Sequence, residues 1–172
     1  MSSTAFIKTA FERSAKAISL KPSLGDGTRS SRVRIINGLT CEFTEGPWRF
    51  VTDMPAQAGG NGEGPTPGVF GRGALGSCLA IGYMMYAAKM GVPIDSLEVQ
   101  VECDFNDGAL FGVFEEMDPG YSEVRYTVSV VSGAPEEDVM KVIDEGDKHS
   151  PYLDVFSRGQ KCVRQVQIEK TK

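Results

Sequence analysis

The segment Gly73–Ala88 (Gly-Ala-Leu-Gly-Ser-Cys-Leu-Ala-Ile-Gly-Tyr-Met-Met-Tyr-Ala-Ala) runs for sixteen residues without a charge. Ahead of it lies a loop-forming stretch rich in Gly59, Gly60, Gly62, Gly64, Pro65 and Pro67, whose composition rules out regular structure. Thr66-Pro67 has the chemistry of an N-cap followed by a first helical position, and Lys89, Gly91 and Pro93 mark a helix exit. The spacing predicts a helix from Pro67, with a start nearer Ala74 as the alternative. Gly71, Leu75, Cys78, Gly82 and Met85 would share one face, flanked by Ala74 and Ile81. A helix apolar all round has to be covered on every side. A chain of 172 residues has few elements with which to do so, and the small residues admit a close second backbone. A homodimer with this helix at its centre is therefore expected.

The chain is long enough for one domain with a real core, 41% of its residues being hydrophobic and 24% charged. A net charge of −5 offers no basic footprint for nucleic acid or an anionic membrane. The uncharged run falls short of the roughly 20 apolar residues a membrane span needs, so a soluble chain is expected. The four cysteines, Cys41, Cys78, Cys103 and Cys162, form no C-x-x-C pair, and His149 is the only histidine, so no metal is expected. No Gly-Lys-Ser/Thr follows the glycine-rich stretch, and Gly60-Asn61-Gly62 does not extend into a dinucleotide fingerprint, so no cofactor is expected either. Without the apolar core of a secretory signal at its start, the chain is expected in the cytoplasm, with its thiols reduced.

Residues 1–31 read as an N-terminal helix and linker, and residues 32–172 as the domain proper. The opening from Ser2 to Lys16 has only Glu12 as an acid, as transit peptides do. Phe6, Ile7, Ala10, Phe11, Ala17 and Ile18 nevertheless form an ordinary amphipathic stripe. Lys21–Ser31 is turn chemistry without periodicity. Val33, Ile35 and Ile36 lead into Asn37-Gly38, which predicts a type I′ hairpin to Thr40–Phe43, and Trp48–Thr52 adds a third strand. Leu97–Phe105 and Val124–Val130 alternate apolar and polar residues, the signature of two antiparallel strands each with one wet face. Pro135 with three following acids opens a second main helix, loosened or ended by Gly146 and Pro151. Cys162–Ile168 reads as a last strand. The sum is an α+β fold with antiparallel strands and two main helices.

Two readings stand side by side for Cys78: a small buried hydrophobe at a tight contact, or a reactive thiol. His149 reads as a helix-end residue near terminal carbonyls rather than a base, Ser150 as a helix-terminal polar residue, and Cys103 as an inert core thiol. Trp48, Phe50 and Met84-Met85 are expected in the core more than around a substrate.

Asp53-Met54-Pro55, Gly59-Gly60, Gly64-Pro65-Thr66-Pro67, Ala74-Leu75-Gly76-Ser77-Cys78, the exit Ala88-Lys89-Met90-Gly91 and the strand Leu97–Phe105 together resemble the OsmC/Ohr family, in its OsmC-like branch. The resemblance runs from about Arg32 to the C-terminus. It implies an intertwined α+β homodimer performing thiol-dependent peroxidase chemistry on small organic hydroperoxides at the subunit interface, with Cys78 as the attacking thiol. In that family a second cysteine ahead of a proline resolves the oxidised thiol. Here the sequence is Lys148-His149-Ser150-Pro151, so Ser150 stands at the resolving position and cannot form a disulfide. The family's Pro-Glu pair, which helps hold an activating arginine, reads Pro67-Gly68. Arg32, Arg34 and Arg72 are the candidate cations, and the sequence does not choose among them. Reduction then falls to an external thiol; the alternative is a non-catalytic dimer that binds a small apolar ligand or senses redox state.

Overall fold

Helix α2 (Pro67–Met90) is the axis on which the other elements assemble. The computed structural model describes residues 3–170; Ser2 of the N-terminal stretch, Met1, Thr171 and Lys172 lie outside the described residues. Thr66 stands extended ahead of Pro67, and Gly91 at φ 75° closes the far end by donating its N–H to the Ala87 carbonyl. The start at Pro67, rather than near Ala74, is the one the cap chemistry indicates.

One row of α2 faces the core. Leu75, Leu79, Tyr83 and Ala87, at four-residue steps, are buried, as is Ala88, while Cys78 and Gly82 sit half-buried beside them. Val69, Ile81 and Met85 stay exposed, with Ile81 61% accessible. The reason lies in what packs against the helix. Strands β4 (Ser96–Asp104) and β5 (Glu123–Val131) form an antiparallel pair in register from Ser96 opposite Val131 to Asp104 opposite Glu123. Their inward residues Leu97, Val99, Val101, Val124, Tyr126 and Val128 surround Leu75, Leu79 and Tyr83. The large side chains go where a sheet can cover them, because buried apolar area is what stabilises the contact.

Helix α4 (Glu136–Lys148) adds buried Val142 to this core. Glu136, Glu137 and Asp138 occupy its first turn, as the macrodipole favours. Gly146 does not break α4. It lets the helix approach Tyr83, since a Cβ at that position would lie 2.3 Å from the Tyr83 ring. Pro151 opens a separate helix, α5 (Pro151–Ser157). Between β4 and β5 the chain makes a single turn of helix, α3 (Asp107–Leu110).

Strands β1 (Arg32–Asn37), β2 (Thr40–Glu45) and β3 (Trp48–Thr52) form a second antiparallel sheet in the order β1-β2-β3. The first turn differs from the type I′ expectation. Its two residues are Gly38 and Leu39, and of these only Gly38 has positive φ, 56°. A register shift between Ile35 and Asn37 absorbs the offset. Phe43 and Phe50 stack at 5.0 Å and both meet the edge of Phe70 of α2, which ties this sheet to the helix. The aromatic face is otherwise open. Trp48 is 65% and Phe50 39% exposed, and Met85 is exposed as well, so these residues are not the core side chains they were expected to be; only Met84 is half-buried.

Helix α1 (Thr4–Leu20) lies on α2 with no residue fully buried. Ile7, Ala10 and Phe11 of its stripe are half-buried, whereas Phe6 and Ile18 are exposed. The Phe11 ring meets the edge of Tyr86 at 5.5 Å, and the Lys89 ammonium sits over both rings. At the other terminus residues 158–170 form no strand, contrary to the expectation for Cys162–Ile168. A strand needs a hydrogen-bonded neighbour, and among the described residues this segment pairs with none, leaving Val163, Val166 and Ile168 exposed. Among the described residues no helix is long and apolar enough to cross a membrane.

Candidate thiol site

Cys78 lies eleven residues after Pro67, about three turns into α2, beyond the first turn where the helix dipole acts. Its thiol is half-buried, and its sulfur lies 3.5 Å from the Ser150 hydroxyl oxygen, with either group able to donate. Ser150 is 6% exposed. It is the N-cap of α5, its oxygen accepting the Leu153 N–H at 3.3 Å. Proline at the next position favours this start, so the local sequence Ser-Pro both opens α5 and turns the hydroxyl towards α2.

The junction that delivers Ser150 is held by Asp147. Its two carboxylate oxygens accept the Tyr83 hydroxyl of α2 at 2.5 Å and the Tyr126 hydroxyl of β5 at 2.8 Å. Burial, reinforced by the Asp147 carboxylate, pushes the Tyr83 hydroxyl far above the usual phenol range. The same causes in the same order push Tyr126 up to about 12. Both hydroxyls therefore stay protonated donors, and the last turn of α4 is anchored to a helix and a strand at once.

His149 caps α4, its Nδ1 2.8 Å from the Glu145 carbonyl oxygen and its ring stacked on Tyr86 at 5.3 Å. That is the helix-end placement expected of it; it neighbours Ser150 in sequence, yet its ring is engaged by Glu145 and Tyr86. The three candidate arginines go elsewhere within one chain. Arg34 pairs with Glu42 at 2.8 Å on the open sheet, and Arg32 lies beside it. Arg72 stands by Gly68, where an added Cβ would lie 3.2 Å from its Nη1 and 3.4 Å from the Tyr121 hydroxyl. Its charge is felt at Cys103, whose thiol is pushed up by burial more than the guanidinium draws it down. That burial disfavours the Cys103 thiolate. Among the described residues no arginine is hydrogen-bonded to Cys78. All four cysteines are free, Cys162 lying exposed in the terminal segment.

Asp53, quoted in the sequence only as part of the Asp53-Met54-Pro55 motif, organises the approach to α2. It is 2% exposed and accepts hydrogen bonds from the Thr40 hydroxyl and the backbone N–H groups of Met54, Asn61 and Glu63. Burial alone would raise its pKa; the bonds from Glu63, Met54, Thr40 and Asn61 outweigh it and hold the carboxyl below the ordinary value. The carboxylate folds the glycine-rich stretch back on β3 ahead of α2. Gly60 permits this, because a Cβ there would lie 1.8 Å from the Met54 carbonyl oxygen. An aspartate just before a glycine-rich stretch is a turn-forming signal, so Asp53-Met54-Pro55 carried the clue.

A half-buried thiol facing a buried hydroxyl can hold an oxidised sulfur by hydrogen bonding but cannot close a disulfide with it. Among the described residues no group of three or more His, Cys, Asp or Glu is placed to hold a metal ion. A family model described as OsmC-like protein matches residues 60–163, which include both Cys78 and Ser150. No curated protein matches the chain. Solved structures do. An OsmC-like protein from Mycoplasma pneumoniae has a TM-score of 0.65 at 15% identity, over 77% of this chain and 89% of that one. An organic hydroperoxide resistance protein OsmC from Legionella pneumophila has a TM-score of 0.55 at 13% identity, over 76% and 89%. The organic hydroperoxide resistance protein OhrB of Bacillus subtilis has a TM-score of 0.50 at 19% identity, over 77% and 92%. At such identities these structures speak for the fold. With a meander, a central thiol-bearing helix and a packed antiparallel pair in place, and a family model spanning more than half of the chain, the protein belongs to the OsmC-like family.

Proposed function

We propose that the protein is a thiol-dependent reductase of small organic hydroperoxides, or a redox protein of the same chemistry, acting through Cys78 with Ser150 in place of a resolving cysteine. The observation that carries this reading is the 3.5 Å approach of the Cys78 sulfur to the Ser150 hydroxyl within a family whose structural neighbours include hydroperoxide resistance proteins. The Cys78 thiolate attacks the distal peroxide oxygen, the O–O bond breaks, and the alkoxide leaves as the alcohol after taking a proton. The sulfur is oxidised to a sulfenic acid. An external thiol then attacks the sulfenic sulfur and displaces water to form a mixed disulfide, and a second external thiol attacks that disulfide, releasing the Cys78 thiol and leaving the two external sulfurs joined as a disulfide.

Residues 32–172 form the OsmC-like domain in this reading, with 1–31 as an appended helix and linker, and the protein works in the cytoplasm, where small thiols are reduced. It acts as an intertwined homodimer. Exposed Trp48, Phe50, Ile81 and Met85 are apolar surface that a second copy would cover. Neither Arg32, Arg34 nor Arg72 is bonded to Cys78 within one chain, so activation of the thiol depends on that assembly.

A second reading is a dimer that binds a small apolar ligand or senses redox state without turnover, favoured by the serine at 150 and by the lack of a bonded cation at Cys78. Consumption of cumene hydroperoxide with an added dithiol separates the two. Loss of activity in Cys78→Ser supports the enzyme. Equal rates in wild type and variant rule it out, and dimedone labelling of Cys78 without turnover supports the sensor.

A further inference from the structure

We propose that the polar face of the β1-β2-β3 sheet is a binding site for a small anion bearing a phosphoryl group. The register builds it. Arg32 lies opposite Thr44, and Thr44 opposite Arg49, in one row across the three strands. Arg34 lies opposite Glu42 in the next row, and alternation along each strand puts all five side chains on one face. They line a single pocket of about 220 Å³. That is below the roughly 300–1,000 Å³ of sites for drug-sized ligands, which points to a small anion.

Glu42 organises the basic groups. Its Oε1 accepts a hydrogen bond from Arg34 at 2.8 Å and its Oε2 makes an ion pair with Arg49 at 3.2 Å, so one carboxylate holds two guanidiniums from different strands. Arg32 has no ion-pair partner among the described residues. Three cations against one anion leave two positive charges in a chain whose net charge is −5. Hydrophobic burial does not require this clustering, because Val33, Ile35, Phe43 and Phe50 occupy the opposite face and Val51, opposite Glu42, joins the polar one. Two uncompensated charges match a phosphate monoester, which carries about −1.5 to −2 near neutral pH. Guanidinium forks suit the oxygens of such a group, and the Thr44 hydroxyl supplies a neutral donor at the centre of the row. The overall acidity and the small, isolated patch argue against a polyanion such as nucleic acid.

Within one chain no residue of this site is bonded to Cys78. Titration calorimetry of the full-length protein with inorganic pyrophosphate at low ionic strength is the test, low salt being needed because exposed charges are screened. Saturable binding is expected, unchanged in Cys78→Ser. Arg32→Gln should weaken it by about tenfold, the usual worth of one charge-assisted hydrogen bond, and the Arg32→Gln/Arg49→Gln pair should weaken it further. Arg32 bonds no carboxylate, so its single replacement should leave the thermal melt of the free protein unchanged. Heats that never saturate overturn the proposal, as does wild-type affinity in the paired variant or equal displacement by chloride at matched ionic strength.

Discussion

Cys78 in α2 and Ser150 at the head of α5 stand 72 positions apart in sequence, yet their side chains meet at 3.5 Å. The contact unites the most reactive type of side chain in the central helix with a hydroxyl that has no redox chemistry of its own. What happens after oxidation of Cys78 thus depends on the atom at position 150.

Replacing that atom tests the arrangement. Ser150→Cys puts a second sulfur where a modest side-chain rotation reaches disulfide distance, about 2.05 Å. Treated with peroxide, this variant should lose two free thiols per chain by thiol titration and resist dimedone, whereas wild type loses one and is labelled. A variant that is dimedone-labelled to the wild-type extent, with no new disulfide in its peptide map, would contradict the geometry.

The Asp53 network carries a pH signature. Its folded pKa lies below the ordinary value of 3.8, so its contribution to stability is complete above that value and is lost as pH falls through the folded pKa. Asp53→Asn should lower the melting temperature by several degrees at pH 7, since the amide cannot accept four hydrogen bonds as the carboxylate does. It should also flatten the loss of stability that wild type shows below about pH 4. Parallel acid-denaturation curves for the two proteins would refute this role.

At alkaline pH the tyrosines report on the Asp147 anchor. Tyr83, Tyr86 and Tyr126 have raised pKa values, so ultraviolet titration should find these three tyrosines still protonated at a pH where a free tyrosine has ionised. A raised pKa means stability is intact below the unfolded value near 10 and declines as pH climbs through the folded one. Tyr126→Phe should remove a step near 12 and cost about 1–2 kcal/mol in urea unfolding at pH 7.

Packing of α4 on α2 should be intolerant of one added methyl group. Gly146→Ala would drive a Cβ into the fully buried Tyr83 ring and destabilise the fold by about 1–3 kcal/mol, measurable as a lower urea midpoint. Gly73→Ala, on an exposed position of α2 with nothing within 4 Å of the new carbon, should be neutral or slightly stabilising.

Trp48 is the only tryptophan, which makes assembly visible. It is 65% exposed in the single chain, so dimerisation over the aromatic face should blue-shift its emission and lower acrylamide quenching as concentration rises, in step with the mass from light scattering. A dimer by mass with unchanged quenching would place the interface elsewhere.

The sequence by itself determined the local events. Thr66-Pro67 and Lys89 with Gly91 bounded α2, the alternation in Leu97–Phe105 and Val124–Val130 produced β4 and β5, and the acids after Pro135 opened α4. Each depends on capping, periodicity or backbone preference within a few residues, which is where sequence patterns act. The motif around Cys78 carried the family for the same reason. Only the tertiary structure decided which side of α2 faces the core, because a helix apolar all round holds no stripe to orient it, and β4, β5 and α4 chose Leu75, Leu79 and Tyr83. Packing likewise set Ser150 against Cys78, drew Thr40 and the glycine-rich loop onto Asp53, and left 158–170 without a strand. Those outcomes rest on contacts between distant segments, and their energies come from burial and from polar groups finding partners, terms that no local pattern encodes.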